Sequence, residues 1–290
     1  MITKRAYAKI NLFLDVISKR EDGFHDIKSI MQSLSLCDEL SFSFTESDKT
    51  EVKLSIVGND SLPTDKSNLI VKALLAYLSE VNRTLNAEIT LKKNIPSSAG
   101  LGGGSSDAAA TLLALNEYFK GRLAESELLS LAGKIGSDVP FCLCSGTALC
   151  EGRGERITRL PSPKRSFFVV AIGKGGVSTP RAYAALDRLY SDFKSPRRET
   201  EIIYQNAERS LSLGRIDENS LYNIFEDVIC PELAEVDQIK RQLLTCGATG
   251  TLMSGSGPSV FGMFESESEA LSARDHLLKL GYSAYACESV

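Results

Sequence analysis

The sequence predicts an α+β protein of two domains. Strand and helix signals alternate through the first half, the turn-forming run Pro161-Ser162-Pro163-Lys164 falls near the middle of the 290 residues, and a second strand–helix series follows it. A chain of this length, 43% hydrophobic, can bury two modest cores. The expected domains are residues 1–160 and 161–290.

Residues 2–16 read as a strand. Period two puts Ala6, Ala8, Ile10, Leu12 and Leu14 on one face and Tyr7, Lys9, Asn11, Phe13 and Asp15 on the other. Lys9 and Asn11 therefore project side by side, and taken alone a lysine there is a solvated edge-strand residue. A polar turn, Arg20-Glu21-Asp22-Gly23-Phe24-His25-Asp26, carries an aromatic and a histidine. Strand signals return at 30–44 and 52–57, a helix at 68–81 with Leu69, Ala73, Leu74 and Leu78 in register, and a strand at 87–91. After the loop at 96–107 the pattern predicts helices over 108–119 and 125–134. Asp138 then stands between Gly136 and an apolar run, where an aspartate can simply cap the next segment. Residues 146–157 read as a hairpin, 167–172 as a buried strand, and 181–189 as a helix carrying Tyr183. Residues 190–220 are polar and helix-prone. Residues 223–244 read as helix, broken near Cys230-Pro231 because proline cannot continue a helix interior. A second Gly/Ser loop at 254–259 and a closing helix at 268–280 complete the series.

Composition excludes several classes. A net charge of −4 gives no basic footprint for nucleic acid. The seven cysteines are odd in number and irregular in spacing, and the two histidines lie away from them in sequence, so buried reduced thiols are expected rather than a metal site. No apolar run reaches the ~20 residues needed to span a membrane, and no signal peptide is visible. The chain is expected in the cytoplasm, as a monomer or weak homodimer.

The densest chemistry lies in Pro96-Ser97-Ser98-Ala99-Gly100-Leu101-Gly102-Gly103-Gly104-Ser105-Ser106, followed by a helix-prone run. A glycine-rich loop feeding a helix N-terminus is an anion cradle, because backbone N–H groups point outward and the helix dipole favours negative charge there. The Walker pattern fails: Gly133-Lys134 and Gly173-Lys174 are followed by Ile and Gly, not Ser or Thr. The dinucleotide fingerprint fails too, since Ser105 holds its third glycine position.

This loop resembles the ATP loop of the GHMP kinase superfamily, Pro-x-x-x-Gly-Leu-Gly-(Gly-Gly)-Ser-Ser. Ala8-Lys9-Ile10-Asn11-Leu12, Arg20–His25, Gly136-Ser137-Asp138-Val139-Pro140-Phe141 and Ser254–Ser259 are similar, in the same order, to the branch that phosphorylates a cytidine-linked polyol. The resemblance implies an N-terminal ribosomal-protein-S5-domain-2-like domain and a C-terminal ferredoxin-like α/β sandwich, with the active cleft between them. It also implies ATP, as its magnesium complex, as phosphoryl donor to a small-molecule alcohol. By resemblance Asp138 takes the hydroxyl proton while Lys9 keeps it ionised and stabilises charge on the reacting oxygens. Pro96–Ser106 binds the nucleotide, with Ser106 and Asp107 at the helix start, and Asn68 lies on the adenosine side. Phe24 and Tyr183 flank the cytosine, His25 reads its edge, Asn11 contacts the polyol, and the 254–259 loop closes the phosphate side. Lys93 is a further candidate for the nucleotide. The family often has tyrosine where this chain has Phe24 and alanine where it has Ser137. A homoserine- or mevalonate-type kinase, or a non-catalytic metabolite-binding relative, are the competing readings.

Overall fold

A computed structural model describes residues 1–59, 61–190 and 198–290, and part of the polar 190–220 stretch lies outside them. In chain order the elements are β1 (Ile2–Lys19), β2 (His25–Glu46), β3 (Glu51–Val57), α1 (Leu69–Val81), β4 (Leu85–Lys92), α2 (Gly103–Tyr118), α3 (Glu125–Ile135), α4 (Val139–Cys144), β5 (Thr147–Gly152) and β6 (Arg156–Arg159). They continue as β7 (Phe167–Ile172), α5 (Thr179–Leu189), α6 (Arg198–Ser212), β8 (Tyr222–Asn223), α7 (Glu226–Glu232), α8 (Ala234–Thr245), β9 (Gly250–Met253), β10 (Val260–Phe264), α9 (Glu267–Lys279) and β11 (Ser283–Glu288).

The chain forms two compact units, which interleave in sequence because β1 and β2 run through both. The first holds residues 1–8, 37–97 and 102–144. Here β4 pairs antiparallel with the end of β2, Glu39 opposite Lys92 through Glu46 opposite Leu85. It also pairs parallel with β3. The parallel pair is joined through α1, the crossover such a pair requires. Along β4, Leu85, Ala87, Ile89 and Leu91 are buried and their neighbours exposed, so one face meets the core and the other meets water. Helices α1 and α2 pack together, and α4 packs on α2 and α3.

The second unit holds residues 9–36, 98–101 and 145–290. Within it β2 pairs with β5, β5 with β6, and β1 with the short parallel β8. A separate antiparallel sheet has the order β11-β7-β10-β9. Numbered within itself that order is 4-1-3-2, with α8 and α9 packed on it, which is the expected ferredoxin-like sandwich. Its core joins Val169, Ala171, Ile239, Leu243, Val260 and Leu277.

Three boundaries differ from the sequence reading. Helix α2 begins at Gly103, five residues before Ala108. Pro231 sits inside the last turn of α7, and the break falls at Leu233, whose non-helical backbone (φ −130°, ψ 81°) ends one helix and starts the next. The apolar run after Asp138 is a short helix, α4.

Candidate active site

The glycine loop is shared between the units, and each part has its own geometry. In the first unit Gly102 is the N-cap of α2, with φ 68° and no side-chain capping bond. The first amide to enter the helical ladder is that of Ser106, which donates to the Gly102 carbonyl at 2.9 Å. The amides of Gly103, Gly104 and Ser105 precede it, and helix geometry gives them no partner within the helix. The first turn contains no acidic residue. This helix end thus presents N–H groups and a positive dipole end with no carboxylate of its own turn to answer them. Ser106 and Asp107, expected as caps, lie inside the helix and are buried. The reason is that Gly102 takes the cap position and Gly103, Gly104 and Ser105 already open the first turn.

Behind that turn lies a charged cluster that sequence reasoning missed. The Lys93 ammonium donates to Asp38 and, at 2.8 Å, to Asp107. All three side chains are at most 5% exposed. Asp38 is pinned further by the amides of Asn94 at 2.6 Å and Ile95 at 2.8 Å. A side chain at Gly103 would bring its Cβ to 2.9 Å from the Lys93 Nζ, so glycine lets the ammonium sit directly under the helix start. Burial pushes the Asp107 carboxyl up to about 7, against the pull of Lys93 and with a further push from Asp38. Burial works against the charge on Lys93 as well, but the two carboxylates outweigh it and its pKa is raised. Lys93, a nucleotide candidate by sequence, is thus held by two carboxylates.

In the second unit, Ser98–Leu101 docks on the 254–259 loop. The Ser254 hydroxyl donates to the Gly100 carbonyl at 3.2 Å and the Ser259 amide to Ala99 at 3.3 Å. Gly100 has φ +79°, and a Cβ there would run into the Ser254 carbonyl. Asn223 ties the far side of this loop, donating to the carbonyls of Met253 at 2.7 Å and Gly255 at 2.8 Å. The Lys9 amide donates to Leu101 at 2.9 Å. Its side chain is 4% exposed rather than solvated, and its ammonium donates to the Asn11 Oδ1 at 2.8 Å. The alternation along β1 puts these two on one face, as the sequence indicated.

The aromatic residues gather at the start of β2 and along α5. The His25 imidazole stacks on Tyr183 with centroids 4.6 Å apart and 22° between planes, and Tyr183 meets Phe225 edge-on at 4.9 Å. His25 Nε2 lies 2.7 Å from the Asp187 Oδ1. Burial raises the Asp187 carboxyl, but bonds from Lys19 and His25 outweigh it and hold it below its ordinary range. The ionised carboxylate only accepts, so Nε2 carries the proton in that bond. Asp187 is four residues after Tyr183 on α5, a spacing that puts both on one helix face and could have flagged it. Phe24 is 52% exposed, with the Arg153 guanidinium 4.9 Å from its ring centroid. His25 therefore covers one face of the Tyr183 ring.

Asp138 is half-buried directly before α4, and its carbonyl accepts from the Cys142 amide at 3.1 Å. Asn68 caps α1: its Oδ1 accepts from the Ile70 amide at 2.9 Å and its Nδ2 donates to Pro63 at 2.7 Å. Of the loop's remaining residues, Pro96 is half-buried, while Ser97 is exposed with its hydroxyl accepting from Asn59 at 3.3 Å. Asp138, Asn68, Pro96, Ser97 and Gly102–Ser106 belong to the first unit. Lys9, Asn11, Phe24, His25, Tyr183 and Ser98–Leu101 belong to the second. Among the described residues no group of three or more His, Cys, Asp or Glu could hold a metal ion, and no helix is long and apolar enough to cross a membrane.

Comparison with known proteins agrees with this geometry. Residues 68–146 match the GHMP kinases N terminal domain and residues 206–283 the GHMP kinases C terminal domain. The chain is 41% identical over 275 residues to the 4-diphosphocytidyl-2-C-methyl-D-erythritol kinase of Caldicellulosiruptor saccharolyticus, covering 94% of this chain and 91% of that one. It is 42% identical over 262 residues to the kinase of the same name from Clostridium novyi, covering 90% of each. A crystal structure of 4-(cytidine 5'-diphospho)-2C-methyl-D-erythritol kinase superposes with a TM-score of 0.80 at 31% identity, covering 99% of both chains. Homoserine kinase from Cytophaga hutchinsonii, at 22% identity and a TM-score of 0.73, shares the fold. With a fold, a phosphate-loop geometry and full-length relatives that agree, the chain belongs to the GHMP kinase family, among its 4-diphosphocytidyl-2-C-methyl-D-erythritol kinases.

Proposed function

We propose that this chain transfers the γ-phosphoryl group of ATP to the 2-hydroxyl of 4-diphosphocytidyl-2-C-methyl-D-erythritol, a step of non-mevalonate isoprenoid precursor synthesis. The observation that carries the reading is the start of α2, where three successive amides and the helix dipole meet no acid of their own turn. Full-length relatives that bear this enzyme's name support the choice of acceptor.

Phosphoryl transfer requires the phosphates held, their charge offset and the hydroxyl aligned. Gly102–Ser106 hold the phosphates through backbone and hydroxyl donors, and Pro96–Leu101 and Asn68 shape the nucleotide's seat. Magnesium bound to the nucleotide would offset part of its phosphate charge. Asp138 takes the proton from the 2-hydroxyl, and Lys9 stabilises charge on the reacting oxygens. Asn11 contacts the methylerythritol moiety, and the 254–259 loop closes its phosphate side. Phe24 and Tyr183 take the two faces of the cytosine and His25 its edge. The enzyme works in the cytoplasm as a monomer or weak homodimer. Residues 1–160 form its N-terminal kinase domain and 161–290 its C-terminal one, and each matched family segment falls inside one of these halves.

Purified protein offered ATP with the cytidine diphosphate substrate, homoserine or mevalonate is expected to turn over only the first. Turnover of another alcohol overturns the acceptor, and no turnover of any favours a metabolite-binding role. Asp138→Asn is expected to lower kcat by about 10²–10⁴-fold with a small change in KM.

A further inference from the structure

Ser29 lies on β2, fully buried, and takes part in a chain of hydrogen bonds that includes Lys9. Its hydroxyl donates to the Phe13 carbonyl at 2.8 Å. Having spent its one proton there, the Oγ can only accept, and it accepts from the Asn11 Nδ2 at 2.8 Å. The Asn11 Oδ1 then faces Lys9 and accepts from its ammonium at 2.8 Å. Asn11 is 1% exposed, so its amide has no water to fall back on. A flipped amide would set its NH2 against the ammonium and its oxygen against the lone pairs of Ser29. Two buried hydrogen bonds would become two repulsions.

The geometry points to Ser29 as a positioning residue for the phosphoryl transfer: it fixes the orientation of the Asn11 amide, and through it the direction of the Lys9 ammonium. This rests on reading Lys9 as the group that works on the reacting oxygens. One of the three ammonium protons is committed to Asn11, which sets where the other two point. A Cβ at Gly255 would lie 3.3 Å from the Lys9 Nζ, so glycine there leaves the ammonium its room beside Asn11. Ser29 touches neither reactant in this role and acts only through Asn11.

The test compares Ser29→Ala, Ser29→Thr and Lys9→Met in steady-state kinetics, with thermal midpoints measured alongside. Ser29→Ala is expected to lower kcat about ten- to a hundredfold, the range for a lost hydrogen bond to a charged group's partner, with KM for ATP within about twofold. Ser29→Thr keeps the hydroxyl and is expected to restore kcat to within about threefold. If alanine leaves too little folded protein, Ser29→Cys keeps the shape with a weak acceptor and is expected to show the same loss in kcat. Unchanged kcat in Ser29→Ala, or equal losses in Ala and Thr, overturns the inference, as does a loss confined to KM. An active Lys9→Met places the failure in the reading of Lys9. An inactive Lys9→Met beside a fully active Ser29→Ala places it in the positioning role alone.

Discussion

Lys93 carries its charge where there is no water to solvate it, and the two carboxylates that justify its presence depend on it in turn. Removing one partner from such a cluster costs more than the cluster itself contributes, because the remaining charges stay buried. Lys93→Ala is therefore expected to lose about 3–5 kcal/mol in chemical denaturation, since Asp38 is left buried without its counter-charge. Lys93→Arg is not expected to restore it, because a planar guanidinium does not fit under Gly103 as the compact ammonium does. None of this could be read along the chain. Lys93 lies 55 residues from Asp38 and 14 from Asp107, on a strand end, another strand and a helix. The Lys9–Asn11 pair was readable, because a two-residue spacing on a strand fixes a shared face without any tertiary information.

At the scale of elements, the periodic segments were found and their ends were not. Strand β4 and helices α1 and α3 came out within two or three residues because their apolar positions repeat cleanly. The start of α2 was missed because glycine is a poor helix former and because Ser106 and Asp107 give a cap signal downstream of the true cap at Gly102. Function and propensity conflict at that point: the residues that suit a phosphate cradle are the ones that hide a helix. Asn68 gives such a signal at the true cap, which holds the first turn of α1. Asn68→Ala is expected to cost about 1 kcal/mol and lower the thermal midpoint by about 2–4 °C. Asn68→Asp keeps the capping oxygen and should stay near the parent value in the same scan.

Across the whole molecule, the Asp107 carboxyl should make stability depend on pH. Its folded value of about 7 stands above the ordinary value of roughly 4, so the folded chain holds a proton that the unfolded chain has released. Stability is then greatest toward the acidic end of that window and falls as pH rises through about 7. Asp187, held below its ordinary range, acts in the opposite sense but only at lower pH, where its bonds to Lys19 and His25 are lost on protonation. Urea midpoints taken between about pH 5 and 8 should decline in the parent chain and stay flatter in Asp107→Asn. A decline of the same slope in both would place the proton elsewhere. The two-domain α+β class followed from alternation and order of elements, and the ferredoxin-like second sheet from the resemblance to the GHMP kinases. The interleaving of the compact units did not, since nothing in a strand's periodicity says that its two ends serve different cores.

The bare first turn of α2 also bears on how this chain would respond to selection. Helices α3, α7, α8 and α9 each begin with two acidic residues that offset their dipoles, and α2 begins with none. A screen for heat resistance would reward filling that gap. Ser105→Glu should gain about 0.3–1 kcal/mol in a thermal scan. The same carboxylate would stand where the triphosphate is held, so KM for ATP should rise by about tenfold or more in steady-state kinetics. Variants bred for robustness alone would drift toward sturdy proteins that no longer take up nucleotide, and a library built on this scaffold should hold residues 102–106 fixed.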